Sequence, residues 1–200
     1  MIIGITGGTG CGKTTLLDVI REQGGLVLDC DAIYHELLQT DPVLLGRIEN
    51  RFPGTVENGQ LQRKKLGTIV FSDPAALEDL NRITHAAVKT EVLRRLEQAP
   101  VLAAVDAIAL FEGGLAEICD VTVAVSAPEE LRICRLMARD GISEEYARAR
   151  IRAQKDPDFF RSHCGYVLEN LGTWEEFQCK CLAFLREIGI IKSESAVNNG

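Results

Sequence analysis

The stretch GGTGCGKTT at 7–15 constrains this chain more than any other. It follows the β-branched run IIGIT at 2–6, which reads as a strand, and leads into a pattern at 13–23 that reads as a helix. Gly7, Gly8, Thr9, Gly10, Cys11, Gly12, Lys13 and Thr14 fit G-x-x-x-x-G-K-[ST], with Thr15 just beyond. Glycines let a loop turn its backbone N–H groups onto a phosphate without obstructing Cβ atoms. The helix that follows adds the positive end of its dipole. Lys13 supplies a point charge for the outer phosphates and the Thr14 hydroxyl is suited to Mg²⁺. A nucleotide's phosphates and Mg²⁺ are therefore expected on residues 7–15, though the loop alone does not distinguish a kinase from a switch GTPase or a motor ATPase.

Further short apolar runs, LVLD at 26–29, VLAAVD at 101–106, VTVAV at 121–125 and YVLE at 166–169, alternate with helical patterns at 13–23, 32–39, 74–97, 128–139, 143–154 and 174–188. Such alternation predicts an α/β fold, a P-loop-type five-stranded parallel sheet flanked by helices. Two intervals exceed a simple crossover. They divide the chain into a core of 1–31, 99–127 and 164–192, an inserted helical substrate lobe at 32–98, a helical lid at 128–163 and a frayed tail at 193–200.

A formal net charge of −7 argues against nucleic acid as a partner. Nothing reads as a signal peptide or as a span of roughly 20 apolar residues, so a cytoplasmic protein without membrane partners, a monomer or weak oligomer, is expected. The seven cysteines are scattered, form no CxxC pair, and read as reduced thiols rather than a metal site. Cys11 stands beside a helix N-terminus, a setting that lowers thiol pKa and predicts sensitivity to oxidants.

The loop alone does not say what accepts the phosphoryl group. Asp31, after the strand LVLD, suits a general base at the carboxyl edge of a parallel sheet; equally, it suits an N-cap for a helix beginning at Ala32. Asp106 ends another strand and suits the metal's water shell. Arg132, Arg135 and Arg139 recur at helical spacing, as do Arg148 and Arg152, and arginines of a closing lid can neutralise transferring phosphates. Interleaved glutamates and aspartates mark most of them as solvated.

In order, IIGITGGTGCGKTT, LDCDAIYHELL, NGQLQRKKLGTIVFSDPAALEDLNRITH, VDAIALFEGGL, RLMARDGISEEYARARIRAQ and VLEN resemble the dephospho-CoA kinase family across nearly the whole chain. The resemblance implies ATP-dependent phosphorylation of the ribose 3′-hydroxyl of dephospho-CoA. It implies Asp31 as general base with Lys13 and Arg139 catalytic, Arg135, Arg150 and Gln154 in the lid pattern, and Arg63, His85 and Glu112 at the acceptor. Departures stand at Cys11, Gln62, Ala86, Ile108-Ala109-Leu110 and His163-Cys164-Gly165, where the family usually has Ser, Asp, Pro, Pro-Leu-Leu and an Ala-Asp pair. Two other readings accompany this one: a kinase for another small hydroxyl metabolite, and a nucleotide-binding regulatory protein that transfers nothing.

Overall fold

The computed structural model describes residues 1–192, so the tail expected at 193–200 lies outside the described residues. The elements in chain order are β1 (Ile2–Thr6), α1 (Lys13–Glu22), β2 (Leu26–Asp29), α2 (Cys30–Thr40), α3 (Pro42–Arg51), β3 (Val56–Glu57), β4 (Gln60–Leu61), α4 (Arg63–Val70) and α5 (Pro74–Leu96). Then come β5 (Ala103–Asp106), a 3-10 turn (Ala116–Ile118), β6 (Val121–Ser126), α6 (Glu129–Asp140), α7 (Glu144–Arg152), α8 (Pro157–His163), β7 (Tyr166–Glu169) and α9 (Trp174–Glu187). Five strands form the parallel sheet in the order β2-β5-β1-β6-β7, and β3 pairs with β4 in a separate antiparallel hairpin. The chain clusters into two compact units, one of residues 1–4 and 26–120, the other of 5–25 and from 121 onward, so β1 contributes to both.

In the first unit, β2 and β5 pair with Leu26 opposite Ala103 and Asp29 opposite Asp106, which ends both strands on a carboxylate. Their apolar residues join one core with the inward faces of α2, α3, α4 and α5, including Ile33, Ile48, Phe52 and Val92. Full burial of such side chains stabilises by about 1.5–3 kcal/mol each. In the second unit, α9 packs on α1, and Phe177, Cys181, Phe184 and Leu185 are its buried face. The reciprocal Thr173–Glu176 capping box fixes where α9 begins. Helices α6 and α7 form a hairpin around Ile133, Leu136, Ala147 and Ile151.

Three helices share one start signal. Asp41, Asp73 and Asp156 each precede a proline at the first helical turn, and each carboxylate accepts a backbone N–H there. Of these, only α5 is expected from the sequence pattern; α3, α4, α8 and the β3–β4 hairpin are additions.

Helix α2 begins at Cys30, earlier than the expected 32, because Asp29 and not Asp31 provides its cap. That helix is tied to α5 through charge: Glu91 accepts from Arg94 Nε at 2.7 Å and from Arg95 Nε at 2.6 Å, and Arg95 Nη2 reaches Glu36 on α2 at 2.8 Å. Arg94 first, and Arg95 with it, hold the Glu91 carboxyl at about 2 despite the opposing effect of burial. A carboxyl lowered in the folded state contributes stability above its ordinary value, 4.5, and loses it as pH falls toward 2. Glu91→Gln is therefore expected to be less stable than the parent at neutral pH. In urea unfolding titrations the gap should close as pH falls from about 5 to about 2, and a gap independent of pH would contradict the linkage.

Candidate active site

The second unit holds the phosphate loop. Gly7, Gly10 and Gly12 have φ of 133°, 78° and 96°, left-handed conformations that side chains resist. A Cβ on Gly7 would lie 2.2 Å from the Val125 carbonyl oxygen, and one on Gly12 would lie 2.3 Å from Asn170 Nδ2. Neighbouring side chains hold the loop's carbonyls. Asn170, buried at the end of β7, donates from Nδ2 to the Cys11 carbonyl at 2.9 Å and accepts Arg135 Nη2 at 2.9 Å. Arg135 Nη1 makes longer contacts, 3.4 Å, with the Gly10 and Cys11 carbonyls. Arg132 Nε donates to the Thr9 carbonyl at 2.8 Å, while the Thr9 N–H donates to Gln154 Oε1 at 2.9 Å.

These bonds have a directional consequence. In a trans peptide the C=O and the next N–H point opposite ways. Fixing the Thr9 and Cys11 carbonyls on Arg132 and Asn170 therefore aims the Gly10 and Gly12 N–H groups to the other side, as an anion cradle requires. Lys13 Nζ donates to the Gly7 carbonyl at 3.0 Å. Thr14 is exposed in the first turn of α1, where no acidic residue stands, and Thr15 is buried. Among the described residues no three His, Cys, Asp or Glu side chains cluster as metal ligands. That donor set fits Mg²⁺ held mainly by phosphates and water, with the Thr14 hydroxyl as a protein ligand.

Cys11 corrects one expectation. Its side chain is 3% exposed, and burial shields the thiol from the oxidants that a helix N-terminus alone would favour.

The expected lid arginines differ in what they bond. Arg139 donates through Nε and Nη2 to Asp140, and Arg150 Nη1 donates to the same carboxylate at 2.7 Å. Arg139 first, then Arg150, hold the Asp140 carboxyl at about 2, against burial. Sequence reasoning names Arg132 only as one of several lid arginines and passes over Asn170. The signals were present: Arg132 sits three before Arg135, and Asn170 is the first polar amide after the strand YVLE.

The first unit carries a cavity of about 210 Å³, with Asp31, Tyr34, Asn81, His85, Ile108 and Ala109 in its lining. Asp31 enters from the first turn of α2 and His85 from α5. Arg63, at the start of α4, is exposed, yet its charge partly offsets the burial that raises the Tyr34 phenol. Glu112 is exposed beside Gly113, which lines the cavity. Asp106 ends β5, half-buried. Buried Cys30 has its thiol pushed up to about 12, by burial first and then by Asp106, Asp29 and Asp31, so three carboxylates surround it. The capping alternative for Asp31 falls to its neighbour, since the Asp29 carboxylate accepts the Ala32 N–H at 3.0 Å.

The family model for dephospho-CoA kinase matches residues 1–176. The chain belongs to the dephospho-CoA kinase family. A dephospho-CoA kinase of Thermus thermophilus is 39% identical over 191 residues, covering 94% of this chain and 92% of that protein. One from Syntrophotalea carbinolica is 35% identical over 194 residues, with the same shares covered. A crystal structure from Thermus thermophilus superposes with a TM-score of 0.78 at 35% identity, covering 94% and 97% of the two chains. The dephospho-CoA kinase of Campylobacter jejuni gives 0.66 at 26%, covering 94% and 96%. A shikimate kinase from Acinetobacter baumannii, at 19% identity and a TM-score of 0.53 over 95% of each chain, shares the fold.

The separation of Asp29 from Asp31 is testable by stability alone. Asp29→Ala, losing an N-cap, is expected to cost about 1 kcal/mol. Asp31→Asn should stay within about 0.5 kcal/mol of the parent. Urea unfolding of both variants checks this, and equal losses would show that the cap is shared.

Proposed function

We propose that this protein transfers the γ-phosphoryl group of ATP to the ribose 3′-hydroxyl of dephospho-CoA, giving coenzyme A and ADP. The observation that carries the proposal is Asp31: a carboxylate released from capping, placed on the wall of a cavity large enough for the reacting end of a small acceptor. In this reading Asp31 accepts the proton of the attacking hydroxyl, and the oxygen forms its bond to phosphorus as the bond to the ADP oxygen breaks. His85 and Arg63 orient the acceptor, with Glu112 at the cavity's edge.

On the donor side, residues 8–15 hold the phosphates through the N–H groups the loop turns away from its bonded carbonyls, Gly10 and Gly12 among them, and through the positive end of α1, and Lys13 balances charge on the outer ones. Mg²⁺ would neutralise phosphate charge there, with the Thr14 hydroxyl as its protein-side ligand. Arg135 supports the loop, while Arg139 and Arg150 serve the transferring group by exchanging Asp140 for phosphate oxygens. No described helix is long and apolar enough to cross a membrane. We place the enzyme in the cytoplasm, with its small-molecule substrates.

ADP release measured with and without dephospho-CoA tests the proposal: release should depend on that acceptor, and stimulation only by a different hydroxyl compound would overturn it. Asp31→Asn should lower kcat by roughly 10²–10⁴-fold, as expected for loss of a general base, with ATP binding retained. Unchanged turnover would remove Asp31 from the mechanism.

A further inference from the structure

The arginines of α6 and α7 separate by the charge of their partners. Arg139 and Arg150 meet Asp140, and Arg148 meets Glu129, Glu130 and Glu144. Arg132 meets no carboxylate among the described residues. Its Nε donates to the Thr9 carbonyl and its Nη2 to Gln154 Oε1 at 3.0 Å, both neutral acceptors. Nevertheless it is the most deeply placed, 4% exposed. A buried guanidinium balanced only by neutral dipoles is costly to fold, and a compensating anion relieves that cost.

Gly8 provides an independent observation. Unlike Gly7, Gly10 and Gly12, it has no left-handed φ, so the turn does not require glycine there. What glycine leaves there is room for Arg132: a Cβ on Gly8 would lie 2.2 Å from Arg132 Nη2 and 2.8 Å from its Cζ, so a side chain would push the guanidinium from its place. Gly10 closes over the same residue from another side, where a Cβ would come within 2.9 Å of the Arg132 carbonyl oxygen. The phosphate loop thus packs on Arg132, with Gly8 against its guanidinium and Gly10 against its main chain.

We infer that Arg132 is a positioning residue for the nucleotide's polyphosphate. Its buried charge is balanced by the phosphates of ATP rather than by a protein carboxylate, and its grip on the Thr9 carbonyl keeps that oxygen from facing them. The inference rests on ATP being the ligand of residues 7–15, and it assigns a role outside the residues proposed above for catalysis.

Equilibrium binding of ATP and AMP to the parent protein, Arg132→Gln and Arg132→Lys, with thermal melting as the folding control, tests it. Arg132→Gln should weaken ATP by roughly ten- to hundred-fold, the effect of removing a charge-assisted interaction, and AMP much less. Arg132→Lys, which keeps the charge, should preserve most of the parent's preference for ATP over AMP. Loss of ATP and AMP affinity by the same factor, equal losses in the Lys and Gln variants, or no loss at all would overturn the inference. If Arg132→Gln does not fold, the ATP-to-AMP preference of Arg132→Lys decides alone: retention supports the inference and collapse overturns it. A parent protein that binds no ATP would instead refute the nucleotide reading on which the inference stands.

Discussion

A loop that presents N–H groups to an anion must turn its carbonyls elsewhere, and every carbonyl turned away needs a donor. That requirement organises the second unit of this protein. Arg132 takes the Thr9 oxygen and Asn170 takes the Cys11 oxygen, from α6 and from the end of β7. Lys13 takes the Gly7 oxygen from within the loop. Because these donors crowd the backbone, a side chain at 8 would run into Arg132 and one at 12 into Asn170, and at 12 the left-handed φ favours glycine as well. The sheet matters here mainly as a frame: β6 supplies the Val125 carbonyl against Gly7, and β7 delivers Asn170.

Charge is distributed by the same logic. Arg139, Arg148 and Arg150 of the α6–α7 hairpin are neutralised by aspartate and glutamate, consistent with pairs that contribute little to stability in solvent. The arginines that touch the loop, Arg132 and Arg135, bond carbonyls and amides among the described residues. In the first unit the polarity reverses, with Asp29, Asp31 and Asp106 around Cys30 and an apolar cavity beside them.

Much of the fold was legible from period and punctuation. Strands β1, β2 and β7 fall on their apolar runs, and α1 and α9 match their patterns within a residue. Helices α3 and α8 lie outside the expected helices although Asp41-Pro42 and Asp156-Pro157 carry the same start signal as Asp73-Pro74, because their apolar periodicity is short. The site was legible where chemistry is local. Lys13 and Thr14 follow from loop spacing, but Arg132 and Asn170 act across more than a hundred residues of chain, and no local rule links position 132 to Thr9 or 170 to Cys11. Asp31 was ambiguous for a related reason, because choosing between cap and base depends on which of two nearby aspartates the Ala32 N–H selects.

The most direct measurement is amide hydrogen exchange at Thr9 in the nucleotide-free protein, followed by NMR in the parent and in Gln154→Ala. If the protein's own side chains shape the loop, the Thr9 amide exchanges more slowly than in an unstructured peptide, and the Gln154 substitution removes that protection. Exchange at the unstructured rate in the parent would mean that Gln154, just beyond α7, does not hold the loop at Thr9, and the account built on that grip would fail.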